Sequence, residues 1–302
     1  MADPSFPEAG NLIHLEHVNF EVDDHDMATV FFMAGLGLTR DPYKRADETN
    51  MGVNVGLQQF HLSRRGHPTP PFAGQIGLVV PDLDGIRDRL QRLQSLGKFD
   101  ATPYQMTEHG GSLSVISPFG IALNLHAVGT LPFLRPLGIA YVDVPVPPGS
   151  VDAIAAFYRQ IMDCPAEVDE LEGEPTAVVT VGAYQQLRYR ERLCESYETH
   201  SFHVALYTTR YNALRDTLIS HGSHMGDALE QTFFFNQILE PDTGAAIFKF
   251  QHEMRGLFHP DFMRPLINRW PMEAEPFSDQ ASLMARLRDR PGLSTSRTDT
   301  KK

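Results

Sequence analysis

Apolar and polar residues alternate through Leu15-Glu-His-Val-Asn-Phe-Glu-Val22, and versions of this segment recur near Gln75, Tyr141 and His203. In a strand, a period of two sends Val18, Phe20 and Val22 to one face and His17, Asn19 and Glu21 to the other. The Asp23–Asp26 cluster then precedes an apolar stretch, Met27 to Leu36, that stops at Gly37, which predicts a capped helix. A short strand near Thr39 and two longer extended stretches, Met51 to Gly56 and Leu57 to Arg64, complete a first block. A second block runs from Gly74 through a helix over Gly85 to Gly97, with Ile86, Leu90, Leu93 and Leu96 at helical spacing. It ends in Ser112 to Ile116, the turn Ser117-Pro-Phe-Gly120 and a strand from Ile121 to His126.

The second half repeats the plan. Val53-Asn-Val-Gly56 followed by Gln58-Gln-Phe-His61 is echoed by Val179-Thr-Val-Gly182 followed by Gln185-Gln-Leu-Arg188, which places Arg188 at the position of His61. Tyr141 falls where His17 stands, and His203 falls where Gln75 stands. Pro241-Asp-Thr-Gly244 matches the earlier Ser-Pro-Phe-Gly turn, and counting from it puts Phe248 or Lys249 at the last strand position. The expected organisation is a lead-in over 1–11, one domain of two blocks over 12–130, a second over 137–255, and an extension over 256–302. Phe258 to Trp270 is too apolar for a free tail and is expected to dock on a domain or a second subunit, whereas 294–302 reads as disordered.

These four blocks, with His17-Val18 in the first strand, Pro81-Asp-Leu-Asp84 before the second helix and Ser117-Pro-Phe-Gly120 before the last strand, resemble the vicinal oxygen chelate superfamily. That group includes glyoxalase I, bleomycin-resistance proteins and extradiol dioxygenases. The resemblance covers about residues 12–254 and implies an α+β fold of four βαβββ modules paired into two cup-shaped domains. It also implies a divalent metal (Fe, Mn, Ni or Zn) held by first and last strands. Carried over by position, the metal set is His17, His61, Gln75 and Asn124, with no carboxylate among them. Glu21 and His203 are the candidate catalytic residues, and Tyr141, Arg188 and Tyr207 the candidate substrate contacts. Arg188 beside Asp143 also reads as a structural ion pair.

Composition narrows the partners. A net charge of -12 disfavours nucleic acid, and no apolar run approaches the roughly 18 residues of a membrane span. Two cysteines, Cys164 and Cys194, form no metal or redox motif, and the N-terminus lacks a secretory pattern, so a cytoplasmic address is expected. No GxGxxG after a strand, GxxxxGK, HExxH or GxSxG appears. The expected partner is a small molecule, with a homodimer allowed. The leading reading is a metal-dependent glyoxalase- or dioxygenase-like enzyme, acting as lyase, isomerase or dioxygenase. The alternatives are a metal-free binding protein of the bleomycin-resistance kind and an interaction scaffold.

Overall fold

Alternating strands joined by short helices give the order the repeats predict. In the computed structural model, which describes residues 9–43, 49–64, 71–131, 137–228 and 230–268, the first block is β1 (Leu12–Val22), α1 (His25–Ala28), β2 (Thr39–Arg40), β3 (Asn50–Val55) and β4 (Gln58–Arg64). The second is β5 (Gln75–Val80), α2 (Leu83–Ser95), β6 (Gln105–His109), β7 (Ser112–Ile116) and β8 (Ala122–Ala127). The third is β9 (Gly138–Val146), α3 (Val151–Gln160), β10 (Ala166–Leu171), β11 (Glu174–Gly182) and β12 (Gln185–Glu191). The fourth is β13 (His203–Thr208), α4 (Tyr211–Ser220), β14 (His224–Ala228), β15 (Thr232–Leu239) and β16 (Ala246–Arg255). Asp24 caps α1 by accepting from the amides of Asp26 and Met27, and the helix continues as a π-helical stretch, Thr29–Gly35, that buries Phe31 and Phe32. No helix among the described residues is long and apolar enough to cross a membrane.

The strands form two eight-stranded mixed sheets, but not by joining consecutive blocks. One sheet has the order β14-β15-β16-β13-β1-β4-β3-β2 and so unites the first block with the fourth; the other, β10-β11-β12-β9-β5-β8-β7-β6, unites the second with the third. The expected boundaries 12–130 and 137–255 therefore do not coincide with the sheets. The physical reason is that each block offers the same free edge on its first strand, so the repeat pattern alone cannot select a partner. Here β5 pairs antiparallel with β9, the first strand of the next block, which leaves β1 to pair antiparallel with β13.

The repeated glutamine pairs join the two sheets. Gln58 Oε1 accepts from the Ile139 amide at 3.0 Å, and Gln185 accepts from the Leu15 amide and donates to the Leu15 carbonyl, both at 3.0 Å. Each first glutamine thus satisfies backbone of the opposite sheet, where an unpaired buried group would be costly. One continuous apolar core runs beneath both sheets, from Leu12 and Phe60 to Tyr189 and Phe250.

Within that core His252 stacks on Phe235 with ring centroids 4.2 Å apart, donates from Nδ1 to the Phe250 carbonyl at 2.9 Å, and meets the Tyr158 hydroxyl through Nε2 at 2.6 Å. Burial drives its pKa down to about 3. An unfolded histidine titrates near 6.5, so the unfolded chain binds more protons between those values. The stability gained by keeping His252 neutral is complete above pH 6.5 and falls by about 1.4 kcal/mol per pH unit on acidification toward 3. Denaturant titrations from pH 7 to pH 4 should show this slope and His252→Leu should lack it; identical profiles would contradict the assignment.

Over the residues described the extension is docked, but mainly through polar contacts: Phe258, Met263 and Ile267 remain 88%, 82% and 49% exposed. Arg264 Nη2 lies 2.7 Å from Asp41, Asn54 donates to the Ile267 carbonyl at 2.8 Å, and Asn268 exchanges two hydrogen bonds with the Gly56 backbone at 3.0 and 2.8 Å. The segment 294–302, expected to be disordered, and Trp270 lie outside the described residues, as do most of the proline-rich connector (66–72) and of the link at 129–136.

Candidate metal centre

One register rule places four side chains on one face of each sheet. A first-strand residue is joined by the last-strand residue that pairs two positions further on, and residues two apart share a face. In the sheet built from the outer blocks, Asn19 pairs with His61 and Ala205 with Glu253. His17, His61, His203 and Glu253 therefore stand on one face, contributed by β1, β4, β13 and β16. In the other sheet the same rule, through Gly77 with Asn124 and Asp143 with Arg188, selects Gln75, Asn124, Tyr141 and Arg188.

The outer-block cup gathers donors. His17 Nε2 and His203 Nε2 each lie 3.5 Å from Glu253 Oε2, and the ligand atoms of these three residues all lie within 4.8 Å of one another. The His61 ring stacks on His17 with centroids 3.7 Å apart, and its Nε2 is 3.2 Å from Gln59 Oε1. His17 and Glu253 are buried, at 1% and 8% exposure.

The surroundings hold these donors in place. Leu15 pairs with Leu206 and His17 with Ala205, so Glu16 is an extra, bulged residue. The bulge lets the Glu16 carboxylate meet Nδ1 of His17, which turns Nε2 toward Glu253. Arg255 then joins the two carboxylates, with Nη1 2.9 Å from Glu16 Oε2 and Nε 2.6 Å from Glu253 Oε1. Burial alone would raise the pKa of Glu253, but His17, His203 and Arg255 outweigh it and hold the group ionised well below the usual carboxylate range.

This donor set fits a divalent cation. Two imidazoles and one carboxylate are a common ligand set for zinc and non-haem iron, and two donors about 2.1 Å from a tetrahedral centre stand about 3.4 Å apart. The 3.5 Å separations match that spacing. A carboxylate on the ligating histidine's second nitrogen is the usual outer support of such a site.

The inner-block cup holds a different chemistry. Gln75 donates to Asp143 Oδ2 at 2.7 Å and Asn124 to the Tyr141 hydroxyl at 3.1 Å, with His126 2.9 Å from the same hydroxyl. The Arg188 guanidinium covers the Tyr141 ring at 3.8 Å and lies 4.0 Å from Asp143, which Arg190 also approaches at 3.1 Å. Burial, then Arg188, lowers the His126 pKa to about 4, and burial lifts the Tyr141 phenol to about 12. A second cation beside Arg188 would be repelled, so this cup does not fit a metal.

The set His17, His61, Gln75 and Asn124 is thus divided between two sheets, with Gln75 and Asn124 committed to the ion-pair cup. His203 stands with His17. Glu21 shares the face of His17 but lies four residues along β1, about 13 Å at the usual strand rise, and lines a small recess with Thr199, His200 and Ser201. Tyr141 and Arg188 are in the other cup. Tyr207 is at the end of the outer-block cup, its ring 5.0 Å from Phe262 of the extension. Sequence reasoning missed Glu253, Glu16 and Arg255. The signal for Glu253 was present in the strict alternation of Lys249, Gln251, Glu253 and Arg255 with Phe248, Phe250, His252 and Met254.

No protein-family model matches this chain, and no curated protein does. Among solved structures, glyoxalase I from Zea mays is similar at a TM-score of 0.59 and 13% identity, covering 83% of this chain and 94% of that one. A candidate dioxygenase from Bacillus subtilis is similar at a TM-score of 0.53 and 14% identity, covering 90% of this chain and 96% of that one. The fold is that of glyoxalase I. On this fold the chain carries one cup lined by histidines and a glutamate and one closed by arginine.

Proposed function

We propose that this protein is a metal-dependent enzyme acting on a small oxygenated substrate, with His17, His203 and Glu253 holding the ion and His61 beside them. The observation that carries this reading is the convergence of three donor side chains from two blocks far apart in sequence, with ligand atoms within 4.8 Å. When bound, a divalent ion (Fe, Mn, Ni or Zn) supplies a Lewis acid for two neighbouring oxygens of a substrate. The remaining work falls to the protein. Glu16 orients His17, Arg255 keeps Glu253 ionised with one oxygen facing inward, and buried walls exclude water and strengthen each electrostatic contact. His61 is the nearest imidazole outside the three-residue group, and an imidazole is suited to moving a proton near neutral pH. The similarity to glyoxalase I and to a candidate dioxygenase supports metal chemistry on this fold.

Elemental analysis of untagged protein should find one divalent ion per chain, lost in His17→Ala with the fold retained. Folded wild-type protein that takes up no Fe, Mn, Ni or Zn on reconstitution would end this reading.

A further inference from the structure

A second feature of the outer-block cup is a cavity of about 300 Å³ under the docked extension. Ile13, Leu57, Phe262, Pro265 and Leu266 form apolar walls. The polar lining is Tyr207, His14 and Glu16 on the sheet side and Asp261 and Arg264 on the extension. Neither His17, His203 nor Glu253 lines it; Glu16 stands between the cavity and His17.

The charged groups of the lining are already matched. Glu16 pairs with Arg255 at 2.9 Å, Asp261 lies 3.6 Å from Arg255 and 3.1 Å from Arg264, and Arg264 reaches Asp41 at 2.7 Å. A charged ligand would have to compete with a partly buried ion pair, and breaking one such pair strands its other member. An uncharged ligand avoids that cost. A carboxylate has about four lone-pair sites, more than Arg255 and His17 use on Glu16 or Arg255 and Arg264 use on Asp261, so a neutral hydroxyl can add a bond to either without displacing them. The volume is about twice that of a 150 Å³ cavity able to hold benzene, which suits a two-ring molecule.

We infer that this cavity is a binding site for an uncharged, largely apolar molecule of about bicyclic size bearing a hydroxyl donor, separate from the proposed metal centre. Three probes of one shape test it on the full-length, metal-free chain: 2-naphthol, the anion 2-naphthoate and the cation 2-naphthylmethylamine. Calorimetry should show one saturable 2-naphthol site per chain, with both charged probes at least tenfold weaker. Leu266→Trp, which fills the cavity from the extension, and Leu57→Trp, which fills it from an exposed hairpin turn, should each weaken 2-naphthol at least tenfold. Leu57 is 58% exposed, so its replacement leaves the core untouched. Failure of 2-naphthol to bind, equal binding of a charged probe, or unchanged 2-naphthol affinity in the folded tryptophan variants would each overturn the inference. Because no metal is present, none of these outcomes depends on the metal reading.

Discussion

Glu253→Gln lowers divalent-metal affinity by more than the roughly 10- to 100-fold expected for losing an outer-shell partner, while leaving the fold intact. The expectation follows from the division of labour between the two carboxylate oxygens. Oε1 is held by Arg255 at 2.6 Å, and Oε2 is the atom 3.5 Å from both His17 and His203. Glutamine keeps the volume and an acceptor for Arg255 but removes the one anionic donor of the three-residue group. Glu16→Gln is the matched comparison, because Glu16 meets the supporting nitrogen of His17 and the Arg255 guanidinium, and none of the atoms facing the three-donor cluster; it should stay within the 10- to 100-fold range. Metal titrations of the three proteins decide the matter, and equal affinities for wild type and Glu253→Gln would remove Glu253 from the site.

Arg255→Met carries the largest expected stability cost. Arg255 is 6% exposed, and its guanidinium lies between Glu16 and Glu253, themselves 5% and 8% exposed. Burial by itself would lower the Arg255 pKa, yet these two carboxylates raise it well above its ordinary value. Methionine fills the space but strands two buried carboxylates, and breaking a buried pair costs about 3–5 kcal/mol. At about 2–4 °C per kcal/mol for a chain somewhat smaller than this one, the melting temperature should fall by on the order of 10 °C. Arg255→Lys should recover only part, since an ammonium cannot reproduce the planar fork. A methionine variant melting with wild type would show that the pair contributes nothing net.

Much of this architecture can be read from residue order because each block carries the same strand alternation and the same order of elements. The glutamine pairs aligned β3–β4 with β11–β12 correctly, and Arg188 does occupy the register position of His61. Three things were hidden. Block pairing depends on which of four equivalent strand edges meet, and no local pattern records that choice. The fourth donor was missed because turn counting assumed hairpins of equal length. From Gly120 to Asn124 is four residues, whereas β15 and β16 are longer and their ladder has two irregularities, which carries Glu253 nine residues beyond Gly244. Glu16 was hidden by its bulge, since strict alternation assigns it to the face opposite His17.

Joining the first block to the fourth also has a temporal meaning. The inner sheet spans residues 75–191 and has all its strands once that stretch has left the ribosome. The outer sheet must wait for β16, which ends at Arg255, so β1 and its His17 spend most of synthesis without their antiparallel neighbour. Closing so long a loop is entropically slow, and an unpaired edge meanwhile invites aggregation. In refolding, pulse-labelled hydrogen exchange should protect β5, β8, β9 and β12 before β1 and β13, and His17, His203 and Glu253 then come together only after the inner sheet has formed.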